Sequence, residues 1–152
     1  MMIRIERTTP EDLGFQQVAE QLTRLLTEIN GKDDAFFQNL NRSDTIPYAL
    51  VAYDEDQPVG CGALRPYDTE HIEIKRMFVD SNARLQGVGS LLLQELELWA
   101  RELGYRYTRL ETSDMLEQAI SLYQKFNYQI IPNYGSYECE AHSLCFEKDL
   151  LP

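Results

Sequence analysis

The chain has 152 residues, of which 43% are hydrophobic and 11% aromatic, so one domain with a buried core is expected. Lys and Arg number 14 against 25 Asp and Glu, a net charge of −11 with no basic stripe, which disfavours a nucleic-acid partner. No apolar run approaches the roughly 18 residues of a membrane helix and no signal-peptide pattern is present, so we predict no membrane partner and a cytoplasmic location.

The first half of the chain alternates between strand and helix patterns. Met2 to Arg7 alternates apolar and charged residues, as a half-buried strand does. The polar segment from Thr8 to Asp12 then indicates a helix start, and the apolar spacing extends this helix to about Ile29. A short helix is expected around residues 34–40. The next strands are expected at about residues 48–53, 59–64 and 69–79, paired as a meander.

The second half begins with a long helix from about Gly87 to Leu103, which Gly104 ends. A strand follows at residues 107–112. Asp114 and Glu117 resemble a capping box that would open a helix reaching Phe126. Strands at residues 128–131 and 143–148 complete the chain. This order, β-α-(α)-β-β-β-α-β-α-β-β, predicts a mixed α/β domain.

The segment from Val79 to Ser90 joins a strand to the long helix and contains two glycines, Gly87 and Gly89. Glycines let a ligand approach the backbone amides, and a helix N-terminus offers unpaired N–H groups with a partial positive charge. No acidic residue occurs from Ser81 to Gln94, so the helix dipole is left to an external anion. These residues predict a phosphate-binding turn. A glycine-containing helix start without a ligand is the alternative.

Arg84-x-x-Gly87-x-Gly89 resembles the [Q/R]-x-x-G-x-[G/A] signature of the GCN5-related N-acetyltransferase (GNAT) superfamily, and the order of elements is similar too. Other strings resemble a subgroup of small bacterial members with no assigned substrate. The resemblance implies one N-acetyltransferase domain over residues 1–152, with the acyl-CoA N-acyltransferase fold: a central mixed, mostly antiparallel sheet flanked by helices. It implies acetyl-CoA as co-substrate, and the residues that it assigns to acetyl-CoA are Met77, Phe78, Val79, Arg84, Gln86, Gly87, Val88, Gly89 and Ser90. The broken alternation at Arg76-Met77 also predicts a bulge before the turn.

Ser121 to Tyr128 resembles the family's LYxKxGF segment, in which the tyrosine is the usual general acid. Tyr123 is therefore the candidate that protonates the departing thiolate, since a phenol has a higher reference pKa than a thiol. Helical spacing with apolar neighbours leaves a core aromatic as the alternative. Asn127 stands where glycine is usual, and because Asn tolerates the left-handed conformation we expect the turn to persist.

Glu73 is the candidate general base. It lies fourteen residues before Gly87, the spacing at which histone-type members of the family carry their catalytic glutamate. The carboxylate would deprotonate the amine directly or through a water. The alternative is a strand carboxylate paired with Lys75 or another cation, and Glu111 is a weaker rival for the base.

Three residues are candidates for the acceptor site. Arg65 would bind a substrate carboxylate, or it would form a surface salt bridge. Tyr134 and Tyr137 flank Gly135 in a long loop and would line the site, or they would serve packing alone. His142 is a poor candidate for the base, and Cys145 has the pattern of a buried small hydrophobe rather than a nucleophile.

The resulting hypothesis is an N-acetyltransferase that moves an acetyl group from acetyl-CoA to a primary amine by direct attack in a ternary complex. A small-molecule amine is the expected acceptor. The alternatives are a protein lysine or N-terminal amine, and a non-catalytic acyl-CoA-binding module. Three cysteines without CxxC spacing and two distant histidines predict no metal. A homodimer is left open.

Overall fold

The structure is a computed structural model that describes residues 2–31, 46–84 and 86–151. Within these residues the chain forms three α-helices, which are α1 Leu13–Asn30, α2 Val88–Glu102 and α3 Glu117–Lys125. The seven strands are β1 Ile3–Thr8, β2 Tyr48–Asp54, β3 Gln57–Pro66, β4 His71–Val79, β5 Tyr107–Ser113, β6 Gln129–Ile131 and β7 Ser143–Asp149. The predicted order of elements is confirmed, except that the short helix expected around residues 34–40 lies outside the described residues.

The chain divides into two compact units, residues 1–65 with 74–99 and residues 66–73 with 100–152. Strand β4 contributes its first three residues to the second unit and the rest to the first. The expectation of one domain over residues 1–152 stays a prediction. Among the described residues, no helix combines the length and the apolar character needed to cross a lipid bilayer.

The first unit is a meander with the strand order β1-β2-β3-β4. β1 and β2 pair antiparallel, with Ile5 opposite Ala52, and β2 and β3 pair antiparallel, with Val51 opposite Cys61. Asp12 caps the N-terminus of helix α1, since its carboxylate accepts the backbone N–H of Phe15 at 2.9 Å. The cap is thus the last residue of the predicted polar segment. Helix α1 buries Phe15, Val18, Ala19 and Leu22.

The second unit has the strand order β4-β5-β7-β6. β5 runs parallel to the start of β4, with His71 opposite Tyr107, and antiparallel to β7, with Leu110 opposite Phe146. β6 pairs antiparallel with the other edge of β7. Each unit therefore contains antiparallel pairs, and the β4–β5 pair is parallel, so the predicted mixed, mostly antiparallel sheet is confirmed.

The two ends of α3 differ from each other in how well they were predicted. The predicted capping box is wrong, because the cap position is Leu116 and no side chain caps the helix. Asp114 instead lies 3.1 Å from the His142 imidazole, since its backbone N–H already bonds the His142 carbonyl. At the other end the prediction is confirmed, because Asn127 adopts the left-handed conformation with φ of +69°.

Candidate active site

The glycine turn of the first unit is shaped by the end of β4. Arg76 has φ of +55°, so the extended backbone is interrupted at one of the two residues, Arg76 and Met77, where the sequence predicts a bulge. After the strand, the Asp80 carboxylate accepts the Asn82 N–H at 2.9 Å and caps a single 3-10 turn, Ser81–Ala83. The Arg84 Nε then donates to the Val79 carbonyl at 3.1 Å, and its guanidinium lies 5.4 Å from the centre of the Phe78 ring. These contacts fold the chain back toward α2.

Gly87 opens the N-terminus of α2. Its φ of +80° is a conformation that residues with a side chain rarely adopt. Beyond Gly87 and its two chain neighbours, no described atom lies within 4 Å of the place where a Cβ would stand. The Gly87 carbonyl accepts the Leu91 N–H at 3.1 Å, which begins the helical hydrogen bonds. The backbone N–H groups of the first turn come before the first helical hydrogen bond, so they have no acceptor within the helix, and the turn contains no acidic residue. The turn can therefore bind an anion such as a diphosphate through its backbone.

Two further glycines, Gly60 and Gly62 of β3, allow α2 to pack close to that strand. A Cβ at Gly60 would stand 3.0 Å from Leu92 Cδ1 and 3.1 Å from Val88 Cγ1, and a Cβ at Gly62 would stand 3.0 Å from Leu96 Cδ1. Because the two glycines are two residues apart, they lie on one face of the strand. Their Gly-x-Gly spacing in an otherwise apolar strand is the signal that could have identified a close packing surface.

The second unit places Glu73 beside Tyr134. The Glu73 side chain is buried, and its Oε2 accepts a hydrogen bond from the Tyr134 hydroxyl at 2.7 Å. Burial first, and then the charge of Glu73, raise the pKa of the Tyr134 phenol, so it stays protonated and donates. Tyr137, the other aromatic candidate of this loop, is also buried and contacts the Tyr134 ring edge to face. The structure thus brings Glu73, Tyr134 and Tyr137 together.

Tyr123 lies on α3 in the same unit and is almost fully buried. Its ring packs near Tyr128 and Phe146, with centroid distances of 5.7 Å and 6.2 Å. Burial first, and then the charge of Glu111, raise the pKa of its phenol, so the hydroxyl keeps its proton at neutral pH. A protonated phenol is the state that a general acid needs. The same packing also suits the core aromatic, so both interpretations of Tyr123 remain.

The other candidates have simpler surroundings. Arg65 is half-buried at the end of β3. The Glu111 Oε2 accepts the Ser143 hydroxyl at 2.6 Å, and the His142 side chain is mostly exposed. Cys145 is buried, as predicted, and burial is the main cause that raises the pKa of its thiol. A thiol held protonated is a poor nucleophile.

Known proteins that resemble this chain in sequence are acetyltransferases. The sequence profile of the Acetyltransferase (GNAT) family matches residues 15–128. The chain is 33% identical to an IAA acetyltransferase of Azospirillum brasilense, over 97% of this chain and 98% of that protein. It is 35% identical to the uncharacterized N-acetyltransferase YsnE of Bacillus subtilis, over 65% of this chain and 67% of that protein.

Solved structures share the fold. A structure named for an acyl-CoA N-acyltransferase of Klebsiella pneumoniae matches with a TM-score of 0.81 and 30% identity, covering 99% of both chains. A GNAT acetyltransferase of Elizabethkingia anophelis, solved with acetyl-CoA bound, matches with a TM-score of 0.70 and 21% identity over 97% of both chains. The fold is therefore that of the acyl-CoA N-acyltransferases, as predicted. The chain belongs to the GNAT family of acetyltransferases, and it is an acyltransferase.

Proposed function

We propose that this enzyme transfers the acetyl group of acetyl-CoA to the primary amine of a small molecule, by direct attack in a ternary complex. The observation that carries the proposal is the open turn at Gly87. A residue with a positive φ and no side chain precedes a helix N-terminus that has no acid in its first turn. This arrangement provides backbone donors for the diphosphate of coenzyme A.

The residues proposed to hold the cofactor are those assigned by the family signature. Gln86, Gly87, Val88, Gly89 and Ser90 would offer main-chain N–H groups to the diphosphate, and Arg84 enters the same turn. The end of β4, at Met77, Phe78 and Val79, would offer backbone groups to the pantetheine arm. All of these residues belong to the first unit.

The proton transfers are assigned to the second unit. Glu73 takes a proton from the ammonium form of the acceptor, and the neutral nitrogen attacks the thioester carbonyl. The carbon–nitrogen bond forms, the carbon–sulfur bond breaks, and the nitrogen loses its second proton to solvent. Glu73 then releases the proton that it took to solvent, which restores the carboxylate. Tyr123 gives its proton to the departing thiolate and regains one from solvent. The products are an amide, free coenzyme A and one released proton.

A small-molecule acceptor is proposed rather than a protein. The relative that aligns over nearly the whole of both chains is named an IAA acetyltransferase, and the acidic charge of this chain suits a cationic amine. Arg65, Tyr134 and Tyr137 are the residues proposed to face the acceptor. Acetylation of a protein lysine or an N-terminal amine is the second candidate, which the family membership allows.

An acceptor panel with acetyl-CoA tests the proposal, with free thiol as the readout. The panel contains diamines, amino acids, lysine peptides and peptides with a free N-terminus. Thiol release with small amines supports the proposal, and release with peptides alone favours a protein acceptor. A melting temperature that rises with acetyl-CoA while no acceptor releases thiol would indicate a non-catalytic acyl-CoA-binding module.

A further inference from the structure

Glu73 depends on the protein for hydrogen bonds, because only 3% of its surface is exposed. The Tyr134 hydroxyl, 61 residues away in sequence, donates to its Oε2 at 2.7 Å. We propose that Tyr134 is a positioning residue, which fixes the orientation of the Glu73 carboxylate for proton transfer. This inference rests on the proposed role of Glu73 as the base, and it gives the Tyr134 hydroxyl a task other than binding the acceptor.

The Tyr134 ring is held on several sides. Tyr67 and Tyr137 contact it edge to face, with centroid distances of 5.3 Å and 5.8 Å and interplanar angles of 83° and 84°. The Arg109 guanidinium lies 4.6 Å from the centre of the Tyr134 ring and 5.0 Å from that of Tyr67. Because aromatic edges and a cation surround the ring, the hydroxyl stays in one place.

The cation over the ring is itself fixed. Arg109 donates through Nε at 3.1 Å and through Nη2 at 2.5 Å to the same carboxylate oxygen of Glu147. The two residues face each other across the β5–β7 pair, so the sheet register sets their distance. If Tyr134 moved away from Glu73, its ring would therefore lose the contact with the Arg109 guanidinium, which the Glu147 carboxylate holds in place.

The backbone around Tyr134 is held by the residue before it. The Asn133 side-chain amide donates to the carbonyls of Tyr137, Glu140 and Ser143, at 3.2 Å, 3.3 Å and 3.0 Å. These bonds tie the loop to the start of β7. Gly135 follows Tyr134 with φ of +54°, and the place where its Cβ would stand is 3.5 Å from the Tyr67 hydroxyl. The loop is thus folded so that the phenol reaches Glu73.

This arrangement matters for proton transfer because a base works best when its orientation is set before the substrate binds. If the Tyr134 hydroxyl is removed, the carboxylate loses a fixed donor and its side chain gains freedom. The turnover number should then fall, while the binding of acetyl-CoA should not change. A residue that serves packing alone would affect stability but would not act through Glu73.

A double-mutant cycle tests the inference, with Tyr134→Phe, Glu73→Gln and the combined variant. We expect Tyr134→Phe to lower kcat about tenfold with the KM for acetyl-CoA unchanged, as for loss of a hydrogen bond to a charged group. In the Glu73→Gln background the same change should have no further effect on kcat, because the group that it positions is already absent.

Tyr107→Phe is the matched control, since its ring stacks on His71 at 4.8 Å and its hydroxyl makes no hydrogen bond to a described residue. It should keep the wild-type kcat. Equal losses from Tyr134→Phe in both backgrounds, or no loss in the wild-type background, would overturn the inference while leaving the base in place. A Glu73→Gln variant with full kcat would instead remove the proposed base, and the inference with it.

Discussion

The glycine turn of the first unit, residues 86–90, depends on the backbone. The Glu73 cluster of the second unit, which consists of Glu73, Tyr134 and Tyr137, depends on side chains. The turn works through main-chain amides, and what matters there is the absence of side chains, as at Gly87. The cluster works through side chains that hold one another, as Tyr134 and Glu73 do at 2.7 Å. The first depends on backbone conformation and the second on packing. Substitutions should therefore weaken cofactor binding in one region and turnover in the other.

Glu73→Gln should have the largest effect and act on turnover alone. A general base contributes about a hundredfold or more to the rate, so we expect kcat to fall by about that factor. The dissociation constant for coenzyme A, measured by calorimetry, should stay the same. Glu111→Gln provides the comparison, since Glu111 is the rival carboxylate. A larger loss of kcat from Glu111→Gln would transfer the role of base to that residue.

Tyr123→Phe should lower kcat by about tenfold to a hundredfold without changing coenzyme A affinity, because it removes a proton donor. The pH profile gives a further check. Since burial holds the pKa of Tyr123 above its ordinary value, the phenol stays protonated and active as pH rises to about 10. The wild-type rate should therefore not decline through this group below that pH. A variant with the wild-type kcat would show that Tyr123 is a core aromatic only.

Gly87→Ala should weaken coenzyme A binding about tenfold, because a side chain at this positive φ strains the turn that presents the amides. Gly104→Ala is a matched control just beyond the other end of α2. Its φ is +93°, and beyond its two chain neighbours no described residue has an atom within 4 Å of the place where its Cβ would stand. Both variants should lose similar stability in thermal melts. Equal affinities for coenzyme A would show that the turn does not hold the diphosphate.

Gln86→Glu should have the smallest effect and the most distinctive signs. A negative charge near the N-terminus of α2 should stabilise the helix by about 0.3–1 kcal/mol, and it should weaken coenzyme A binding severalfold through repulsion. Gln94→Glu makes the same change beyond the first turn, on an exposed residue of the same helix, and should do neither. Tighter coenzyme A binding to Gln86→Glu would contradict the proposed anion site.

Features that depend on neighbouring residues in the chain could be predicted from the sequence. The order of elements follows from hydrophobic spacing, and the turn follows from the spacing of Gly87 and Gly89. The left-handed conformation of Asn127 also follows from local chemistry, and the structure confirms it. The capping box at Asp114 failed because that carboxylate meets His142, which the pairing of distant strands brings near.

The Glu73 cluster was only partly predictable, for the same physical reason. Glu73 and Tyr134 were each candidates, but their hydrogen bond joins residues 61 positions apart and depends on the path of a loop. Arg109 was not predicted, because its position depends on the β5–β7 register, which places it opposite Glu147. Sequence patterns specify which residues line one face of an element, and pairing between elements specifies which of them meet.

Calorimetric titration of the wild-type enzyme with coenzyme A and with pantetheine tests the central claim most directly. Pantetheine carries the same thiol arm but lacks both the diphosphate and the 3′-phosphoadenosine, so the Gly87→Ala variant is needed to assign the difference to the turn. The account predicts that coenzyme A binds at least about tenfold more tightly than pantetheine, and that Gly87→Ala reduces this difference. Equal affinities for the two compounds, or no heat with coenzyme A, would contradict a diphosphate held by the backbone between Gln86 and Ser90.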